Sequence, residues 1–268
     1  VTIDSGSIQR AVNAASDGDT IHVAPGAYVE SVDIAKPVSL IGYTEADLGG
    51  AATANPVING SGERSAVHVM SSDVLLQGFD ITGDATTAYG VLVSDLGTPV
   101  SDVRILNNNI YGIAGPASVE TPYAFGILAN GHAGNNVQNL TISGNSIHDI
   151  GNIAAGVGGA AISLEGLTDA AVSDNSISNI EGDFGSGLYG VGLFLESPTA
   201  VFDVQGNDFD GMDIAVMNLS PNANIVQAGG TFTNTPVLVS DTTGVASVSI
   251  DDQHAMLSGI DASLALPG

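Results

Sequence analysis

The sequence predicts an all-β chain wound as a single parallel β-helix, with a short α-helix closing its N-terminal end. Three observations predict it. One phrase, an Asn followed by a polar and then a large apolar residue, returns as Asn108-Asn109-Ile110, Asn145-Ser146-Ile147, Asn175-Ser176-Ile177 and Asn207-Asp208-Phe209. Each copy lies just beyond an alternating apolar pair, Val103/Ile105, Leu140/Ile142, Ala170/Val172 and Phe202/Val204, and a period of two belongs to a strand. Degenerate copies at Val74/Leu76 with Phe79 and Ile81, and at Ile225 with Gly230 and Phe232, bring the visible rungs to six, spaced 23 to 37 residues apart. A repeat of that length, made of short strands and lacking any helix-length apolar stripe, describes a solenoid. The Asn at one phase of every coil then stacks on the Asn above it at roughly 4.8 Å, where amides hydrogen-bond along the stack. These asparagines read as an internal ladder, not as catalytic groups.

Taking the elements in order, Ser7 is placed to cap a helix whose apolar stripe is Ile8, Ala11, Val12 and Ala15. Asp17-Gly18-Asp19 ends it, and strands follow at Thr20–Val23, Tyr28–Ile34 and Pro37–Gly42. A helix laid over the first coil blocks an edge otherwise open to pairing. The whole chain, 1–268, reads as one domain, with cap and first strands in 1–34, coils in 35–250 and a C-terminal tail in 251–268.

Charge excludes some partners. Against 29 acidic side chains stand only 4 basic ones, a net charge of −25. Such a surface repels nucleic acid and anionic membrane and attracts divalent cations. No apolar run reaches the length of a membrane span, so direct insertion is not expected. Cysteine is absent, leaving stability to the core, the ladder and any metal that binds. Acidic, Cys-free, Asp- and Gly-rich composition suits a bacterial secreted protein, extracellular or at the cell surface.

The run Ser7-Ile8-Gln9-Arg10-Ala11-Val12, with Asp17-Gly18-Asp19-Thr20-Ile21-His22-Val23-Ala24-Pro25-Gly26-Ala27-Tyr28-Val29-Glu30, resembles the opening of the pectin lyase-like right-handed β-helix superfamily. With the repeats, the resemblance covers residues 7 to about 250, and it implies right-handed winding. It does not imply one activity, because that superfamily includes pectate lyases, polygalacturonases, pectin methylesterases, alginate epimerases, phage tailspikes and non-catalytic surface proteins. Of the polygalacturonase motifs only Asp251-Asp252 is present, in the terminal region; the pectin methylesterase motifs beyond the opening run are missing. Arg10, Arg64 and Arg104 lack the clustered Asp residues of pectate lyases, and His148-Asp149 lacks the preceding Pro of the epimerase motif.

Alternation on the strand after each ladder position gives inward pairs and an outward row of His68, Leu92, Leu128, Ser163, Phe194, Ala215 and Leu238. This mostly apolar row suggests a covered surface, closed by the chain itself or by a partner. The next outward row is Met70, Ser94, Asn130, Glu165, Glu196, Met217 and Ser240. Glu165 and Glu196, one coil apart, repel unless they splay into solvent or share a proton or cation. Splayed, solvated glutamates are the plainer reading, calcium with Asn130 as a further ligand is the one cofactor expected, and a catalytic pair of the retaining-glycosidase kind is the third reading. Segments 111–124, 148–159 and 178–190 vary in length and project from one edge. Their Tyr111, Glu120, Tyr123, His148, Asp149, Glu181, Asp183, Phe184 and Tyr189 form the candidate ligand surface. The leading functional expectation is a non-catalytic, calcium-associated extracellular protein of a surface layer, fibre or adhesin, self-associating or bound to another surface protein. The alternative is a carbohydrate-active enzyme, a lyase, hydrolase or epimerase-like protein, or a polysaccharide binder, working at the edge loops.

Overall fold

The computed structural model describes residues 6–250 apart from 45, 50–53, 95–98, 118–121, 132–136, 184, 198–200, 221–223, 228–229 and 242–246. The tail from Asp251 onward, and with it the Asp251-Asp252 pair, lies outside the described residues. Three long parallel sheets, of nine, eight and eight strands, make the body. Each coil gives one strand to each sheet, as Leu140–Ser143, Ser146–Ile150 and Gly158–Glu165 do in one turn. Successive coils pair in register, so Ile105 lies on Ile142 and Ile142 on Val172 in the first sheet. This is a parallel β-helix. Among the described residues it has eight complete coils, starting at Thr20, and a ninth opens with Ser247–Ile250.

The two coils that the repeat does not reveal are the N-terminal ones. The strand expected over 28–34 is two strands, Ala27–Val29 and Val32–Ile34, in different sheets. At the ladder phase these first coils carry Gly26 and Pro56, and the third carries Phe79. None offers an amide, so the strands repeat where the signature does not.

From Asn108 onward the ladder is continuous. Asn108, Asn145, Asn175 and Asn207 are buried. Each of the first three donates from Nδ2 to the Oδ1 of the next, at 3.2, 3.0 and 2.9 Å. The same Oδ1 atoms accept the backbone N–H of the preceding Asn at 2.9, 3.0 and 3.1 Å. Each Nδ2 also reaches a carbonyl one coil back, Ile105 O for Asn145 and Ile142 O for Asn175. The turn between the first two sheets is too tight to pair its own amides, and the ladder supplies the partners that burial demands. The residue before the Asn takes positive φ, as Asn107, Gly144, Asp174 and Gly206 do.

The predicted helix is Ile8–Ala14, with Ile8 and Val12 buried and Ala11 and Ala15 packed against the core. Ser7 Oγ accepts from Arg10 N at 3.2 Å. Glu30 adds a clamp across 20-odd residues of chain, accepting Ile8 N at 2.7 Å, Gln9 N at 3.3 Å and Ser7 Oγ–H at 2.7 Å. A carboxylate there satisfies free first-turn amides. Lys36 Nζ closes the other end by donating to the carbonyls of Asn13 and Ala15, both at 2.7 Å.

The third sheet departs from simple alternation. Ala66, Gly90, Gly126, Ala161, Gly192 and Ala215 form a column of small residues facing inward, and each is followed by another inward residue. A Cβ on Gly126 would sit 2.7 Å from Ile147 Cγ2, and one on Gly192 would sit 2.8 Å from a Phe209 ring carbon. The small column therefore makes room for the second sheet's large side chains. It also corrects the row assignment. Val216, not Ile214, pairs with Leu193, and Met217, not Ala215, pairs with Phe194. A slip of two residues leaves alternation intact, so the pattern alone could not detect it.

Candidate functional site

The outer face of the third sheet carries a groove of about 390 Å³ that crosses four coils. Its floor is Ala160, Val191 and Met217, each under 5% exposed. Phe125 and Phe194 stand half-buried on that floor. Tyr123 and Tyr189 enter from the edge, and Glu165 and Glu196 close one end.

Register explains the assembly. Phe125, Ala160, Val191 and Ile214 are paired neighbours on successive strands, and so are Ser163, Phe194 and Met217. The wall comes from a hairpin inserted between the second and third sheets, where Asp183 bridges Leu188. Asp183 Oδ1 accepts from Gly185 N at 2.9 Å. Glu181 Oε2 accepts from Ile153 N at 2.7 Å, which ties this hairpin to the one bridged by Asn152 and Val157 in the preceding coil. Gly182 allows the fold-back, since a Cβ there would sit 1.8 Å from Gly190 N. Tyr189 N donates to Tyr123 Oη at 3.0 Å, joining two loops 66 residues apart. Burial raises the Tyr123 phenol's pKa. Asp213 takes Gly190 N at 2.9 Å beneath the same wall, and burial, followed by the charge of Asp183, raises its carboxyl pKa.

The sequence-predicted residues separate into three places. Tyr123 and Tyr189 from the edge loops, and Glu165 and Glu196 from the outward row, meet in the groove. Tyr111 and His148 belong to the second sheet, their rings stacked at 5.4 Å and 6°. There His148 Nδ1 is 2.7 Å from Asp149 Oδ2 and Nε2 is 3.1 Å from Asn109 Oδ1. The hydrogen bond from Asn179, then that from His148, lowers the Asp149 pKa. Glu181 and Asp183 serve the hairpin itself. Glu120 and Phe184 lie outside the described residues.

Asn130, Glu165 and Glu196 do occupy one row on three successive strands. Glu165 Oε1 accepts from Ser163 Oγ at 2.8 Å and Oε2 from Asn130 Nδ2 at 3.4 Å. Asn130 thus turns its amide NH₂ toward the carboxylate, and holding calcium there would require it to present its oxygen instead. Met217 leaves that row for the groove floor. The signal that sequence reading lacked was the small residue before each inward pair, which places Phe125, Val191 and Met217 on the outside.

A second concavity, a polar trough of about 650 Å³ at the bend before the first sheet, is lined by Asp102, Asn139 and Asp169 among others. Its polar groups bond to one another, Asn139 Nδ2 donating to Asp102 Oδ1 and the Asn139 backbone N–H to Asp169 Oδ1. No aromatic lines it.

No protein-family model matches this sequence, and no curated protein does. Solved structures that are similar to it include the following two. One is an alginate lyase from Paenibacillus sp. str. FPU-7, at 15% identity and a TM-score of 0.40, covering 90% of this chain and 96% of that one. The other is the tailspike protein gp49 of the Acinetobacter baumannii bacteriophage Fri1, a capsular polysaccharide depolymerase, at 12% identity and a TM-score of 0.30, covering 83% of this chain and 51% of that one. This chain therefore matches about half of the tailspike's length. Among the described residues no helix is long and apolar enough to cross a membrane.

Proposed function

We propose that the protein is a carbohydrate-binding β-helix that seats a glycan in the groove of its third sheet. The observation that carries this reading is the joining of aromatic rings and carboxylates in one concavity. Phe194, Phe125 and Tyr123 are half-buried aromatic residues lining it over an apolar floor, Tyr189 is buried in the wall beside them, and Glu165 and Glu196 offer acceptors at its end. A pyranose has the matching character, with an apolar C–H face and a hydroxylated rim. A mostly apolar cleft with a few convergent polar groups is what a ligand site requires.

The surface-assembly reading rested on missing catalytic motifs, a cation-seeking surface and an apolar row in need of cover. In the single chain Leu128 is 6% exposed and Leu92 and Phe194 are half-buried, so much of that row is covered without a partner. Secretion, to the cell surface or beyond it, remains part of the proposal, since a polysaccharide ligand is found there. Calcium is a proposed accessory at Glu165 and Glu196 only.

Immobilised polysaccharides, neutral and acidic, should retain the wild-type protein, with released reducing ends and unsaturated products followed in the same samples. Phe194→Ala should abolish retention while leaving the melting temperature within a few degrees, because Phe194 lies over the floor and not in the core. Retention that survives Phe194→Ala unchanged would place the glycan elsewhere.

A further inference from the structure

Resting on that reading, we infer that the groove selects neutral glycans and rejects those bearing carboxylates. The four basic side chains of the sequence can all be located, and none lines the groove. Arg10 lies in the N-terminal helix, and Lys36 is spent on that helix's last carbonyls. Arg104 faces Asp73 and Asp102 beside the first sheet. Arg64 is nearest in kind, since it belongs to the same face, but its guanidinium lies over the Tyr89 ring at 5.1 Å and bonds the Tyr89 hydroxyl at 2.9 Å, short of the groove. The imidazole on this sheet, His68, is near Asp33 at 3.8 Å in the first two coils, and burial, partly offset by Asp33, lowers its pKa. The charged side chains that do line the groove, Glu165 and Glu196, are both acidic, and Asp183 and Asp213 stand behind the Tyr189 wall.

A ligand carboxylate would therefore meet like charge at the groove's end, over an apolar floor that excludes water, within a molecule of net charge −25. A neutral sugar meets acceptors instead. Glu196 is exposed and Glu165 half-buried on adjacent strands, so the pair offers two carboxylates, roughly 4.8 Å apart along the backbone stack, to hydroxyls on one residue or on neighbouring residues of the glycan. Hydrogen bonds from hydroxyls to ionised acceptors are stronger than neutral ones.

The test is calorimetric titration with neutral gluco-, manno- and galacto-configured hexasaccharides and with their uronate counterparts, in calcium-free buffer and again with calcium. At least one neutral oligomer should bind at least about tenfold more tightly than its uronate. Raising the salt should narrow the gap. The double variant Glu165→Gln, Glu196→Gln should narrow it too, while keeping the aromatic floor. A uronate that binds as tightly as or more tightly than every neutral oligomer, with or without calcium, overturns the selectivity and leaves the groove as a glycan site. Binding of none of the six overturns the glycan reading itself. The salt series on wild-type protein decides the matter even if the double variant fails to fold.

Discussion

Replacing Asn145 by Ala tests whether the ladder holds the coils together. The side chain makes five hydrogen bonds: Oδ1 accepts Asn108 N at 2.9 Å and Asn108 Nδ2 at 3.2 Å, while Nδ2 donates to Ile105 O, Asn175 Oδ1 and Ser143 O at 2.9, 3.0 and 3.2 Å. Some losses are cushioned, because Asn108 Nδ2 retains Leu76 O and Asn175 Oδ1 retains Asn145 N. The Asn108 N–H is not cushioned, and it is left buried without its acceptor. An orphaned buried donor costs about 1–3 kcal/mol, and the weakened acceptors around it bring the expected loss to about 2–4 kcal/mol. For a chain of this size that corresponds to a fall of roughly 4–7 °C in melting temperature. Ser146→Ala, one residue along and half-exposed, should change it by no more than about 2 °C. Thermal unfolding followed by circular dichroism compares the two. If Asn145→Ala melts with Ser146→Ala, the amide stack is incidental to stability.

Two further outcomes follow from other buried or clamped groups. Glu30→Ala removes the acceptor of the Ile8 and Gln9 amides and of the Ser7 hydroxyl; hydrogen exchange across residues 8–14 should speed up about tenfold, a loss of about 1.4 kcal/mol confined to the cap, with ladder amides unchanged. Asp213 keeps its proton to higher pH in the folded chain than in the unfolded one, chiefly through burial. Its contribution to stability is therefore present below the unfolded carboxyl value and is lost as pH rises through the folded value. Asp213→Asn, which retains an oxygen for Gly190 N, should melt higher than wild type at neutral pH and converge with it in acid; a constant difference across pH would refute the assignment.

The fold was legible because its strongest constraint is a side chain. An Asn buried at a tight turn must find partners, and another Asn one coil away supplies part of them in register, so the amide recurs even where the intervening loops differ in length. Where the same turn is filled by Gly26 or Pro56, no such need exists, and the first two coils left no signature. The site was legible only in pieces. Tyr123 and Tyr189 stood out as loop aromatics and Glu165 and Glu196 as a carboxylate pair, but joining them needed the strand between, and there alternation fails at the small inward column. Gly126-Ile127, Ala161-Ile162, Gly192-Leu193 and Ala215-Val216 all show a small residue before the inward pair. That motif would have set Met217 beside Phe194.

Connection length also decides which face can carry a site. In the coils that carry the ladder, the chain has two residues to turn in between the first and second sheets, as at Asn107-Asn108 and Gly144-Asn145, and both are committed, one to positive φ and one to the ladder. No loop can grow there without breaking the amide stack. Between the second and third sheets the connection is free of the ladder, and it widens to 151–157 and 181–190 in neighbouring coils. Loops that lengthen at this corner rise beside the third sheet, so a wall forms next to a floor whose spacing the ladder already fixes. Changes in these hairpins should therefore alter what the groove accepts without disturbing the coils, whereas changes at the ladder should lower stability and binding together.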